Sequence, residues 1–106
     1  MSTFVVYTDR DGKYRWCFQT NNYRTIADSG EGYNTKESCL HGIRVFKEND
    51  GSYQAYEDAS GEHRWRFRAR NGRMIAHSAE GYVSDSNCQR AIDTVKREAT
   101  HAHTEG

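Results

Sequence analysis

The chain has 106 residues, the size of one domain that buries about 65% of its unfolded surface, which excludes a large multi-domain enzyme. Fifteen basic and fifteen acidic side chains cancel to a formal net charge of zero, so bulk electrostatic attraction to nucleic acid or anionic membrane is excluded and only a local patch can supply it. A mean hydropathy of −1.04 is polar, yet 12% aromatic residues exceed what a disordered chain carries and predict a folded domain with an aromatic core.

Met1 to Tyr7 has neither the charged start nor the apolar stretch of a secretion signal, and no window approaches the roughly 20 apolar residues of a membrane span. Three cysteines in no CxxC pair, Cys17, Cys39 and Cys88, fit a reducing compartment, so a soluble cytoplasmic protein is expected. Phe4 to Thr8 is rich in aromatic and β-branched residues and runs into a turn ending at Gly12, which predicts the first strand of a hairpin. The second strand alternates: Tyr14, Trp16 and Phe18 point one way, Arg15, Cys17 and Gln19 the other. Asn21-Asn22 forms the next corner and a third strand carries Ile26. After Tyr33 the period becomes helical, with Cys39, Ile43 and Phe46 on one stripe and Thr35 as N-cap. Gly42 beside that stripe allows close approach to strand backbone.

Shifting the sequence by 49 residues aligns Phe4–Glu48 with Tyr53–Arg97 without a gap, with 17 identities over 45 positions. Tyr53 to Asp58 therefore repeats the first strand, His63, Trp65, Phe67 and Ala69 repeat the second, and Asn71-Gly72 is a favoured two-residue hairpin turn because both residues tolerate positive φ. Ser84 caps a second helix with Cys88, Ile92 and Val95 on its stripe, and Ala91 takes the place of Gly42. A unit of 49 residues hardly buries a core alone, so the copies are expected to pack on each other. The expected fold is α+β: two tandem β-β-β-α repeats forming one antiparallel sheet with two helices packed on one face. Residues 1–106 form a single pseudo-twofold domain, with repeat one about 3–49, repeat two about 52–98 and a polar tail at 99–106.

These residues resemble the YegP-like family of small uncharacterised proteins. The motifs that carry the resemblance are Gly12-Lys13-Tyr14-Arg15-Trp16, Asn71-Gly72 with Ile75-Ala76, Ser29-Gly30-Glu31-Gly32-Tyr33, Ser78-Ala79-Glu80-Gly81-Tyr82 and the Gly42-Ile43 helix segment, over residues 4 to about 97. The resemblance implies a single sheet shared by two repeats, or by two one-repeat subunits, with a segment after each helix that can join the sheet. It implies no activity and supplies no catalytic residue. Asn22-Tyr23, where the family usually has Asn-Gly, and the cysteines at 39 and 88 depart from the pattern.

The most suggestive local feature is Arg64, Arg66, Arg68 and Arg70 alternating along one strand, followed by Arg73, with no acid between Glu62 and Glu80. Period two sets the first four opposite Trp65 and Phe67, on a face left open if the helices cover the indoles. Tyr56 and Tyr7 are expected beside them, with Arg15, Gln19 and Arg24 from the first copy. Guanidinium groups beside aromatic planes can stack unpaired bases and grip phosphate, so the candidate ligand-binding residues are Arg64, Arg66, Arg68, Arg70, Tyr56, Tyr7 and Arg15. A solvated or oligomer-contacting face is the weightier alternative, since alternating charge also keeps an antiparallel sheet soluble.

Glu31-Gly32-Tyr33 and Glu80-Gly81-Tyr82 offer two related carboxylates for acid/base work. The favoured reading is structural: glycine at positive φ, tyrosine in the sheet-helix seam, glutamate near a helix N-terminus. Cys39 and Cys88 read as small buried hydrophobes. Cys17 is a thiol on the arginine face with no visible base. His101, His103 and Glu105 match no strong metal motif, and a frayed tail or a short added edge strand is favoured there. No GxSxG, P-loop, HExxH or dinucleotide fingerprint occurs. The sequence thus predicts a non-enzymatic binding or assembly module without cofactor, metal or membrane, the alternative being a binder of single-stranded nucleic acid or phosphorylated ligands through the arginine face. A second copy of the chain is the other candidate partner.

Overall fold

In the computed structural model, which describes residues 2–106, the period-two pattern around Trp16 and Trp65 sorts each strand between two sides of one sheet. Strands β1 (Thr3–Thr8), β2 (Tyr14–Gln19) and β3 (Thr25–Ser29) precede helix α1 (Lys36–Lys47). Strands β4 (Gly51–Glu57), β5 (His63–Ala69) and β6 (Met74–Ser78) precede helix α2 (Asp85–His101), and β7 (His103–Glu105) follows. Trp16, Phe18, Trp65 and Phe67 have no exposed surface, while Arg15, Cys17, Arg64 and Arg66 lie half-buried on the other side. Thr35 and Ser84 cap the helices as expected, each hydroxyl accepting from an amide three residues on, at 3.1 Å.

The strand order is β4-β5-β6-β3-β2-β1-β7. Repeat one and repeat two meet at the antiparallel β3–β6 seam, where Asp28 opposes its own repeat equivalent, His77, so the pseudo-twofold passes between them. The sheet departs from the expected all-antiparallel arrangement at one edge, where β7 runs parallel to β1 and pairs Thr3 with His103. Stretch 99–106, read as a polar tail, is therefore the last turn of α2 plus this added edge strand.

Phe46 of α1 joins the two halves of the core. Its ring lies 5.4 Å from Trp16, 6.2 Å from Trp65 and 5.3 Å from Phe67. It also lies 6.1 Å from both Phe4 on β1 and Tyr53 on β4. Four strands separate β1 from β4, which in a flat sheet would put them about 24 Å apart. The sheet therefore curls around the helices, with its aromatic side concave and its helix-free side convex. Trp16 Nε1, Trp65 Nε1 and the Tyr33 hydroxyl are buried without a hydrogen-bond partner among the described residues; the Trp16 indole approaches Tyr33 without hydrogen-bond geometry.

All four hairpins share one loop, three residues long and ending in a residue at positive φ: Gly12 (77°), Tyr23 (63°), Gly61 (88°) and Gly72 (84°). In the last, Gly72 N donates to Ala69 O and Ala69 N to Arg73 O. Asn71-Gly72 is thus not the expected two-residue turn: Asn71 stays at negative φ and its side chain accepts from Arg73 N. Gly32 and Gly81 are likewise not at positive φ. Their need for glycine is steric, since a Cβ would stand 2.7 Å from Lys13 Cβ and 2.6 Å from Glu62 Oε1. Gly42 faces the Tyr33 phenol rather than strand backbone, and a Cβ there would overlap the hydroxyl.

The repeats also exchange ion pairs. Arg24 binds Glu80 at 2.7 Å and Arg73 binds Glu31, each arginine reaching the opposite repeat's Glu-Gly-Tyr turn. These carboxylates are engaged by arginine rather than by a helix N-terminus. Arg24 consequently lies beneath α2 beside Tyr82 and Ala91, not on the helix-free face.

Candidate functional site

The register carries one row of side chains over six strands of the convex face: Val5, Cys17, Asp28, His77, Arg66 and Gln54. Tyr7 stands opposite Arg15, and Tyr56 opposite Arg64. Of the predicted residues, Arg15, Tyr7, Tyr56, Arg64, Arg66 and Arg68 belong to this face. Arg70 lies one residue beyond β5 in the turn, with its side chain 85% exposed and bound to Asp50.

Part of the charge on this face is answered internally. Arg64 Nε binds Asp58 Oδ2 at 2.7 Å while Asp58 Oδ1 accepts from the backbone N–H groups of Ser60 and Glu62 and from the Ser60 hydroxyl. Arg15 and Asp9 repeat the pair at 2.7 Å, with Asp9 Oδ1 accepting from Asp11 N and Lys13 N. The Ser60 hydroxyl and Arg64 hold the Asp58 carboxyl below its ordinary range, and Arg15 with the Lys13 amide does the same for Asp9. Arg66 and Arg68 have no carboxylate partner among the described residues. Arg66 donates to Gln54 Oε1 at 3.1 Å and lies 4.6 Å over the Tyr56 ring, and Arg68 donates to Gly72 O at 2.9 Å.

The sequence reading missed Asp28 and His77. Ile, Ala and Ser are kept in both third strands while this position changes from acid to imidazole, a signal the repeat alignment held. Burial first, and the Asp28 charge second, push the Cys17 thiol up, so it stays protonated at neutral pH. Tyr7 is shifted the same way, by burial and then Asp28. Cys39 and Cys88 are buried free thiols, and burial pushes Cys39 up to about 11. At the β7 edge His103 Nε2 sits 3.2 Å from Glu105 Oε2. Among the described residues no helix is long and apolar enough to cross a membrane.

The profile of a domain of unknown function, DUF1508, matches the chain twice, over residues 9–57 and 58–105. A UPF0339 protein of Methanosarcina acetivorans is 47% identical over 49 residues, 46% of this chain and 83% of that protein. A UPF0339 protein of Neisseria meningitidis is 50% identical over 44 residues, 42% of this chain and 77% of that one. Two solution NMR structures share the fold, each matched over 98% of this chain and 90% of the other. A UPF0339 protein of Shewanella oneidensis has a TM-score of 0.85 at 17% identity. The protein of unknown function yegP from E. coli has a TM-score of 0.86 at 23% identity.

Proposed function

This chain belongs to the DUF1508 family, a domain of unknown function carried here in two copies, and on that premise we propose that it is a non-enzymatic binding module working through the convex face of its sheet. The observation that carries this reading is the pairing state of the arginines. Arg15, Arg64 and Arg70 are committed to Asp9, Asp58 and Asp50, whereas Arg66 and Arg68 hold only neutral oxygens. Exchanging the Gln54 amide or the Gly72 carbonyl for a phosphate oxygen replaces a neutral acceptor by an anionic one, turning an ion–dipole hydrogen bond into an ion pair. Tyr56 under Arg66 adds an aromatic plane beside the phosphate position. A convex surface spreads its side chains apart, which suits an extended ligand such as a single nucleic-acid strand or a phosphorylated chain better than a compact one. The protonated Cys17 thiol supports the non-enzymatic part of the reading, since it is no nucleophile at neutral pH.

Fluorescence anisotropy of a labelled single-stranded oligonucleotide tests this. Two phosphate contacts give a slope of about −1.4 in log affinity against log salt, and the Arg66→Ala, Arg68→Ala double variant abolishes binding while keeping the native melting temperature. Absent binding, binding indifferent to salt, or full affinity in the double variant overturns the proposal.

A further inference from the structure

The ion pairs between the repeats sit in two clefts that the pseudo-twofold exchanges. In the first, Asn71, Arg73 and Ile75 of repeat two reach beneath α1 and face Tyr33 and Gly42 of repeat one. In the second, Asn22, Arg24 and Ile26 face Tyr82 and Ala91 beneath α2. The asparagine, arginine, isoleucine and tyrosine are the same in both, and so is the glutamate that holds each arginine. The clefts thus share one frame; they differ in the helices above, in Ala69 standing where the second has Thr20, and in Glu80 lining the second while Glu31 does not line the first.

The helix differences enlarge the first cleft and bring charged side chains to its rim. Its volume is about 400 Å³ against about 250 Å³ for the second. Gly42 replaces Ala91 at its wall. His41 and Arg44, three residues apart and so on one helix face, line its rim. Their repeat equivalents are Arg90 and Asp93, neither of which lines the second cleft, and Asp93 faces the groove beside β4 instead. Arg44 is exposed and has no acid partner among the described residues. Asn71 accepts from Arg73 N through its oxygen, which leaves its amide N–H groups free to donate. Glu31 is bound to Arg73, and the remaining acid of the lining, Glu37, lies one turn from His41 but seven residues from Arg44, roughly 10 Å along the helix, so Arg44 is the rim's uncompensated charge.

We propose that the cleft beneath α1 binds a small organic anion, a phosphate monoester or a carboxylate, whose charged end sits at Arg44 and His41 and whose apolar body rests on Tyr33, Val45 and Ile75. The site is on the helix side of the sheet and uses neither Arg66 nor Arg68, so it stands or falls separately from the binding face proposed above. Its twin is a built-in control, with the same frame and no free arginine.

The test is titration of the ¹⁵N-labelled full chain with n-propyl phosphate, with propionate, and with inorganic phosphate as the ligand lacking an apolar body. The expected result is saturable amide shifts at Tyr33, Gly42 and Asn71 with none at Tyr82, Ala91 and Asn22. Which of the two organic probes binds tighter assigns the anion class. Arg44→Asp, which installs the twin's residue at an exposed site, weakens binding by about tenfold or more, as expected for loss of a charge-assisted contact. Arg44→Lys retains most of the affinity, and Arg66→Ala changes nothing. Unsaturated shifts for both organic probes, equal shifts in both clefts, inorganic phosphate binding as tightly as n-propyl phosphate, or unchanged affinity in a folded Arg44→Asp variant each overturn the proposal.

Discussion

Replacing Phe46 by alanine tests whether the two repeats share one core. The ring is 2% exposed and is surrounded by Phe4, Trp16, Tyr53, Trp65 and Phe67. Burial of the side chain is worth roughly 2.5 kcal/mol by transfer, and edge-on ring contacts such as that with Phe67, at 81° and 5.3 Å, add about 0.5–1.5 kcal/mol. With the cavity left by rings held to opposite strands, the expected loss is about 4–5 kcal/mol, at the upper end of the phenylalanine-to-alanine range. That is a large share of the 5–15 kcal/mol typical of a whole domain, and it lowers the melting temperature by roughly 20 °C. Val95, the repeat equivalent of Phe46, makes none of these ring contacts, and Val95→Ala should cost only about 2 kcal/mol. Urea unfolding read by tryptophan fluorescence in Trp16→Phe and Trp65→Phe backgrounds reports each repeat separately. In the Phe46→Ala variant both indoles should report the same midpoint, shifted equally. A loss below about 1.5 kcal/mol, or a Trp16 midpoint that moves while that of Trp65 stays, would refute a single shared core.

Tyr23 holds a positive φ of 63° and is 85% exposed, so Tyr23→Gly relieves backbone strain without losing packing and should stabilise by roughly 0.5–1 kcal/mol in chemical unfolding; a destabilised variant would mean the phenol ring contributes what its exposure denies. Gly42→Ala should cost about 1–3 kcal/mol because the new methyl meets the Tyr33 hydroxyl, whereas the reciprocal Ala91→Gly should cost only about 1 kcal/mol from helix propensity; equal losses would show that the Tyr33 ring yields freely. Asp9 and Asp58 have folded pKa values below the ordinary 3.8, so their contribution is present above that value and is lost as pH falls through the depressed folded values. The difference in urea midpoint between the native chain and Asp58→Asn should be constant near neutrality and shrink below about pH 4; a difference that persists undiminished in strong acid would show that the charge contributes nothing.

Local periodicity made most of the fold legible. Alternation around Trp16 and Trp65, the helical stripes through Cys39 and Cys88, and the caps at Thr35 and Ser84 depend on neighbours within a few residues, and the 49-residue repeat fixed how the halves correspond. What depends on distant pairing was hidden. The parallel docking of β7 on β1 joins residues 100 apart in the chain, as Thr3 and His103 are. The curl that brings Phe4 and Tyr53 to one ring follows from accumulated strand twist, which no short window carries. The pairing of Arg64 and Arg70 was hidden because their acids lie on no part of the arginines' own strand: Asp58 and Asp50 approach from turns flanking the neighbouring strand. A hint was present: Asp9 with Arg15 and Asp58 with Arg64 recur at the same spacing in both copies. Arg24 was misplaced because the loop ending at Tyr23 turns the following residue under α2.

The crossed arrangement, with each hairpin tip tucked under the other repeat's helix, bears on how such a chain arises. A chain with one copy would leave Ile26 or Ile75 uncovered and Glu31 or Glu80 without its arginine, and could complete itself only by meeting another molecule. The Methanosarcina relative, of which a 49-residue match spans 83%, is of that length. Residues 48–50 between α1 and β4 tether the two halves at an effective concentration in the millimolar range, so completion here is intramolecular and dilution cannot part them. Once fused, the halves no longer need to be alike, and Arg44 and Asp93 are free to carry opposite charges on either side of a former symmetry axis.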